Sequence, residues 1–434
     1  MTKKLTVAYK NLSDNFCEGG MGWLNELDKA EKSGAVLPTL PNARRIISYH
    51  PYLNECFAWS ELDEDIMLMR PLPSYSMEGL LPPDPHGKYP QRYGDKFSGY
   101  LRDILCVFAT ANFKAADIDT AVKNVALQNS YNPIREYLNS LKWDGKHRLT
   151  EWLSQALDAE NNGLNSSIGF MFLIAACRRA CFKRYKFDSL LILEGEKGIR
   201  KSTACRVLFG DEYFSEGIGD IRKDECVRNL AGMWGAEIPE GKGFFTASAE
   251  EQKEFLSKVD DVYRRPYERR GTTVARKFVL ICTTNASEYI TENGVDRRYW
   301  TVKCGRNTNL DWLIENRDQL WAEAYHYAMM QEADGSLTHK TYMEEKQIEE
   351  LGTIQLDRVI GNPWEMRVRF WLEHAGQGVT ELSPLRIMSE ILDIPSDRQD
   401  RSTATKVGVI MKDLGWRKRR VRSGMAREQV YERF

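Results

Sequence analysis

The stretch that most constrains this chain runs from Ser189 to Phe209. It opens with Ser189-Leu-Leu-Ile-Leu-Glu194, an apolar run that is continuous and too short for a helix, so it reads as a strand buried on both faces. Gly195, Glu196, Lys197, Gly198, Ile199, Arg200, Lys201, Ser202 and Thr203 follow at once, and then Ala204-Cys-Arg-Val-Leu-Phe209, which reads as a helix. Strand, glycine loop, Lys-Ser and helix is the order of a phosphate-binding loop. In such a loop, backbone amides and a helix N-terminus converge on phosphate oxygens. Lys201 would reach the β- and γ-phosphates of ATP, and the Ser202 hydroxyl would complete the shell of a Mg²⁺ ion. One position departs from the pattern. Arg200 stands where glycine usually precedes the lysine, so a side chain must fit where backbone normally closes on the nucleotide.

The rest of the chain is compatible with a soluble, multidomain protein. It has 434 residues with 61 Lys+Arg against 62 Asp+Glu, and 42% are hydrophobic, enough for two or three cores. No 18-residue uncharged apolar run occurs, and no signal-peptide core follows Lys4, so a cytoplasmic location is expected. The nine cysteines are odd in number and scattered, with no C-x-x-C pair, which argues against a disulfide framework or structural zinc. Cys177 and Cys181 are read as small buried residues on one helix face.

Four regions are expected. Residues 1–98 read as irregular and carry no assignable role, with a connector of Pro, Gly and aromatic residues from Pro71 to Gly94. Residues 99–185 read as helical, from periodic positions such as Tyr100, Leu101, Ile104 and Leu105 and later helices at about 149–157 and 167–182. Residues 186–345 hold the phosphate loop in an α/β domain. Residues 362–434 read as helices followed by two short strands around a basic turn, the layout of a winged helix.

A nucleotide hydrolase also needs an acid on a neighbouring strand. Glu237 lies 237 − 201 = 36 residues after Lys201, in Gly232-Met-Trp-Gly-Ala-Glu-Ile-Pro-Glu240, and Glu240 follows it by three. The two could divide metal binding and water activation, or both could be surface acids beside a turn, since Gly235 and Pro239 make a poor strand. Lys277-Phe-Val-Leu-Ile-Cys-Thr-Thr-Asn285 is the clearest strand, and Asn285 at its tip could sense a γ-phosphate or an attacking water. Arg297 and Arg298 follow 12 and 13 residues later; paired arginines in a loop are commonly structural, but one supplied by a neighbouring subunit could act on a γ-phosphate.

Two segments suggest DNA. Residues 258–277 carry Lys258, Arg264, Arg265, Arg269, Arg270, Arg276 and Lys277 against three acids, with Tyr263 and Tyr267 interleaved. Arginines beside rings could grip phosphates while a ring stacks on a base. The alternative is that Arg265, Pro266 and Tyr267 are packed scaffold at a subunit boundary. Residues 401–434 carry ten Lys/Arg against three acids, and Arg417, Lys418, Arg419 and Arg420 would touch DNA backbone from the wing. A solvated charged face is the competing reading.

The order of these motifs resembles the virulence-associated protein E family of phages and mobile islands, whose ATPase part is similar to superfamily 3 helicases of AAA+ type. The residues carrying the resemblance are Tyr131-Asn-Pro-Ile-Arg-Glu-Tyr-Leu-Asn-Ser-Leu-Lys-Trp-Asp-Gly145, the phosphate loop, Arg265-Pro-Tyr267, Thr283-Thr-Asn285, Arg297-Arg298 and Leu320-Trp-Ala-Glu-Ala324. The resemblance implies an α/β fold with a P-loop AAA+ ATPase core. It implies ATP and Mg²⁺ at Lys201 and Ser202, Glu237 or Glu240 as the metal-side acid, Asn285 as sensor, and Arg297 or Arg298 as the finger. It further implies a DNA helicase in phage or mobile-element replication, a homo-oligomeric ring of about six subunits, a hairpin near residues 258–277 facing a central channel, and a separate primase or initiator as partner. Arg200 and the separation of Glu237 from Glu240 depart from the family pattern. They keep open a nucleotide-gated, DNA-binding initiator or assembly factor with little turnover; a small-molecule P-loop kinase is disfavoured because no acceptor-site pattern accompanies the basic stretches.

Overall fold

The computed structural model describes residues 21–74, 82–263, 272–290, 296–358, 363–376, 378–423 and 426–433. The N-terminal stretch departs from its irregular reading. A helix spans Leu40–Tyr49, capped by the Thr39 hydroxyl accepting from the Asn42 amide. Strands β1 (Phe57–Ser60), β2 (Asp65–Leu68), β3 (Gln91–Arg92) and β4 (Ser130–Tyr131) form a mixed sheet in the order β3-β2-β1-β4. The helices Asp95–Ala109 and Ala115–Gln128 share one apolar core with this part of the chain, through Ile46, Ile47, Phe57, Leu68, Leu101 and Val122. The first core therefore extends across residue 98 to about residue 126. The later helices of the expected 99–185 unit, Trp152–Leu157 and Gly163–Cys181, pack instead with the second core.

That core surrounds a parallel sheet. Its strands are β5 (Leu190–Glu194), β6 (Phe214–Ser215) and β7 (Gly235–Pro239); after the antiparallel pair β8 (Asp260–Tyr263) and β9 (Thr272–Ala275) come β10 (Val279–Thr284) and β11 (Tyr299–Lys303). The order is β11-β5-β10-β7-β6, every pairing parallel. Alternation sends Leu191 and Leu193 into the core with the helices Gly163–Cys181 and Leu310–Met329, and Leu190 and Ile192 into a separate cluster with Ala236, Ile238 and Tyr299. Both faces are covered, which is why β5 and β10 read as unbroken apolar runs. Gly235 has a packing reason for its place in a strand: a Cβ there would lie 2.6 Å from the Phe209 ring. The connection from β5 runs to β6 at one edge of the sheet and that from β10 runs to β11 at the other, so a crevice opens beyond the C-terminal ends of these two neighbours.

Two of the motifs outside the phosphate loop, Tyr131–Gly145 and Leu320–Ala324, serve this core. Asn132 caps the helix Pro133–Ser140 and donates to Ala180 O at 2.8 Å. Glu323, 1% exposed, accepts from the Arg148 and Leu149 amides at 2.7 and 3.1 Å, clasping the segment after Trp143-Asp-Gly145 to the Leu310–Met329 helix. Trp321 packs against Trp234 with ring centroids 4.1 Å apart.

The C-terminal unit runs through a helix Pro363–Glu373, strand β12 (Glu381–Leu382), a short helix Pro384–Arg386 continuing as a π turn to Ile391, a helix Arg401–Asp413, and strands β13 (Trp416–Ser423) and β14 (Ala426–Arg433). The sheet order is β12-β14-β13, antiparallel throughout. Val368, Leu382, Ile387, Val407, Ile410 and Tyr431 belong to its own apolar cluster. Cys177 is buried and Cys181 half-buried, both unpaired. Among the described residues no helix is long and apolar enough to cross a membrane.

Candidate nucleotide-binding site

The loop Gly195–Arg200 joins β5 to the helix Lys201–Phe209 at the C-terminal end of the sheet. Gly195 is required by close approach, since a Cβ would stand 2.8 Å from Ile199 Cδ1 and 3.0 Å from Cys304 O. Gly198 is left-handed at φ 89°. Arg200 caps the helix with φ 66° and ψ 29°, and its side chain is exposed. The chain thus keeps the backbone shape a glycine would supply and turns the side chain to solvent, at a cost of about 1–2 kcal/mol for a left-handed non-glycine residue. Arg200→Gly is expected to raise stability by about 1 kcal/mol, read as a higher thermal midpoint; a fall would show that the arginine side chain holds the loop.

Lys201 is buried, and its ammonium donates to Gly195 O at 2.8 Å, Glu196 O at 3.0 Å and Asn285 Oδ1 at 3.0 Å. Burial lowers its pKa from the ordinary lysine value, against the opposing pull of Cys304, Glu240 and Glu237. Ser202 donates from Oγ to Glu237 Oε1 at 2.6 Å, and the Thr283 hydroxyl donates to the same oxygen. Glu237 is 1% exposed, in β7 opposite Ile281 of β10. A hydroxyl and a carboxylate in contact are hard oxygen donors of the kind Mg²⁺ takes. Glu240 lies just beyond β7 at φ 53° and accepts from the Asn285 amide N at 3.1 Å and Nδ2 at 2.6 Å. The two acids therefore have separate partners: Glu237 stands with Ser202, and Glu240 orients Asn285, which in turn holds Lys201.

Other loop residues form the rim. Glu196, Lys197, Gly198 and Thr203 are exposed, and Ile199 O accepts from the Thr308 hydroxyl. Glu196 pairs with Arg306, whose Nε donates at 2.9 Å. Sequence reasoning missed Arg306, although the parallel alignment of β11 with β5 carries the residues after Lys303 to the same end as the loop. It also missed the floor beneath the loop. Glu194 accepts from Arg358 Nε at 3.0 Å and Tyr289 Oη at 3.2 Å, while the Arg358 carbonyl accepts the Tyr289 and Ile290 amides, each at 2.9 Å.

Arg297 and Arg298 lie elsewhere. They precede β11, and the register Tyr299↔Leu190 sets them at the opposite end of the sheet, a strand length or roughly 15 Å from the loop of the same chain. Arg298 is held by Asp296 at 3.0 Å and Asp188 at 3.2 Å, with its side chain 20% exposed. Arg297 also pairs with Asp188, at 3.1 Å, but is more open at 41%. Of the two, only Arg297 has the exposure to face another molecule.

The basic stretch around β8 and β9 divides sharply. Arg276 is 2% exposed and forks onto Asp261 with two bonds of 2.7 Å, and buried Lys277 points its ammonium at Ala180 O and Phe182 O, at the end of the Gly163–Cys181 helix. Both are corrected from DNA contacts to interior groups: one neutralises a buried carboxylate and the other faces a helix C-terminus. Lys258 is exposed and pairs with Glu254 at 3.0 Å. Arg264, Arg269 and Arg270, with Arg265-Pro-Tyr267, lie outside the described residues. On β13, Arg417, Lys418 and Arg419 are exposed, Arg419 bonded to Glu432 at 2.7 Å; Arg420 lies on the same strand.

Fold and site together define a mixed α/β protein with a lysine, a serine, two acids and an asparagine gathered at the C-terminal edge of a parallel sheet. Residues 138–353 match the model of the virulence-associated protein E-like domain, and through this region the chain belongs to that family. No curated protein matches the chain. Among solved structures it is similar to an A form apo structure of the NrS-1 C-terminal region, at 12% identity and a TM-score of 0.42 over 87% of this chain and 96% of that one. A second A form apo structure of that region gives 12% identity and a TM-score of 0.40 over 68% and 78%.

Proposed function

We propose that this protein is an ATP-driven DNA helicase acting in the replication of a phage or mobile element. The observation that carries the reading is the convergence of Lys201, Ser202, Glu237, Glu240 and Asn285 from β5, β7 and β10 on one crevice. The order β11-β5-β10-β7-β6, with the loop after a central strand, supports a P-loop core of AAA+ type. Lys201 would exchange its loop carbonyls for phosphate oxygens, Ser202 and Glu237 would hold Mg²⁺, and Asn285, set by Glu240, would orient the attacking water. Arg297 would serve the site of the next subunit in a homo-oligomeric ring. The helix-strand-helix-helix-hairpin order of the C-terminal unit supports a winged-helix-like domain that adds DNA backbone contacts.

The test is ATP turnover with and without single-stranded DNA, with Lys201→Ala as control. Turnover is expected to rise with DNA and to fall at least a hundredfold in the variant. Turnover untouched by Lys201→Ala would remove the site. Arg200, a strained residue at the helix cap, favours a second reading, a nucleotide-gated assembly factor; tight ATP binding without turnover would select it.

A further inference from the structure

The chain that follows β11 borders the phosphate loop on the flank that the sequence motifs leave unused. In the order β11-β5-β10-β7-β6, Asn285, Glu237 and Glu240 come from the ends of β10 and β7, to one side of β5, and β11 stands on the other. A nucleotide whose γ-phosphate and Mg²⁺ face Lys201, Ser202, Glu237 and Asn285 therefore turns its α-phosphate and nucleoside towards residues 304–309.

Backbone bonds fix this segment on both sides of Arg306. The Cys304 amide donates to Glu194 O at 2.8 Å, the Gly305 amide to Leu157 O at 3.0 Å and Asp158 O at 3.1 Å, and the Asn309 amide to Ala156 O at 2.9 Å. The Asn307 amide donates to Asp158 Oδ2 at 3.0 Å, and the Thr308 hydroxyl to Ile199 O within the loop itself. Gly305 leaves no slack, since a Cβ there would lie 2.2 Å from Asp158 Oδ2. On this fixed backbone the Arg306 side chain is 78% exposed. Among the described residues the carboxylate that holds it is Glu196, itself 60% exposed, whose Oε1 accepts from both Nε and Nη2. Water screens so open an ion pair, and two long side chains lose entropy in holding it, so the guanidinium is placed but readily exchanged. Glu196 also belongs to a loop that receives a polyanion, and its carboxylate repels one unless a cation offsets it.

We infer that Arg306 is a ligand of the nucleotide's α-phosphate, parked on Glu196 until the nucleotide arrives. This rests on the reading of the crevice as an ATP site, and it names the group that grips the nucleotide at its nucleoside end. On binding, the Nε and Nη2 hydrogens leave Glu196 for α-phosphate oxygens, an exchange of one anion for another that the planar fork of arginine fits. Glu196 and the phosphate compete for one guanidinium, so the acid moderates affinity. The contact is the same with ATP and ADP, so Arg306 strengthens binding of both without acting on the bond that breaks.

Equilibrium binding of Mg-ATP, Mg-ADP and inorganic tripolyphosphate to the full-length protein tests this by calorimetry, with steady-state turnover in parallel. Arg306→Ala should weaken all three about 10- to 100-fold and raise KM for ATP, while kcat stays within about threefold of the parent. Glu196→Gln should tighten all three about 2- to 5-fold. The double variant separates a ligand from a mere neutraliser: it should bind about 10-fold or more weakly relative to Glu196→Gln alone. Parent affinity in the double variant would mean that the arginine only offsets the acid, and overturns the inference. So does a loss confined to ATP, which puts the guanidinium on the γ-phosphate, or a loss absent with tripolyphosphate, which puts it on the base. Both side chains are exposed, so thermal midpoints should stay at the parent value. A parent that binds none of the three removes the ATP site and the inference together. Binding that Lys201→Ala abolishes and Arg306→Ala leaves intact removes the inference alone.

Discussion

Glu237→Gln is expected to bind ATP about as tightly as the parent while turnover falls by two to four orders of magnitude. The amide keeps an oxygen to accept the Ser202 and Thr283 hydroxyls, so the crevice keeps its shape. What it loses is a negative charge on a side chain that is 1% exposed, where no solvent screens the loss. Equilibrium binding of a fluorescent nucleotide and steady-state phosphate release separate the two effects. Turnover within tenfold of the parent would pass the metal-side role to Glu240. Because Glu240 touches Asn285 rather than Ser202, the two variants should differ in kind: Glu240→Gln loosens the asparagine that orients Lys201.

Asp261→Ala should destabilise the fold by about 3–5 kcal/mol, the range for stranding a buried charge. Arg276, bonded twice to Asp261 at 2.7 Å, would be left in the interior with, among the described residues, only the Phe255 carbonyl as a hydrogen-bond acceptor for its guanidinium. Adding Arg276→Met should recover most of the loss, since it removes the orphaned charge and preserves much of the volume. Thermal or urea unfolding of the three variants measures this. A parent-like midpoint for Asp261→Ala would return Arg276 to the surface and to the list of DNA contacts.

The parts of the site that were legible in the sequence are those made by local chemistry. The run from Ser189 to Ser202 carries strand, loop and helix signals within a few residues, and both faces of β5 are buried, so its apolar pattern is continuous. Glu237 was found from spacing although Gly235 spoiled the strand propensity; the glycine answers to the Phe209 ring, a contact that no local window contains. The N-terminal sheet was hidden because its strands are four residues or shorter and alternation needs more length to emerge. Arg276 and Lys277 are not legible as interior groups because charge in a sequence does not say whether a side chain is exposed. The partner that buries Arg276 is 15 residues back, and the acceptors of Lys277 lie on a helix end nearly a hundred residues away. Asp188, which ties down Arg297 and Arg298, is likewise 109 residues from Arg297.

The floor of the crevice fixes where the chain leading to the C-terminal unit is fastened. From Arg358 the chain continues through residues 359–362 into the C-terminal unit. The guanidinium of Arg358 is fastened to Glu194, one residue before the loop, and its carbonyl to the amides of Tyr289 and Ile290, just past Asn285. Gln355, one turn earlier, is pinned to Asp296 and Tyr299 beside the paired arginines. A pull on the C-terminal unit therefore meets its first resistance at the foundations of the loop, the asparagine and the arginine pair at once. Such an anchor ties all three to one short segment, through the Arg358–Glu194 ion pair, the Arg358 carbonyl and the Gln355 amide.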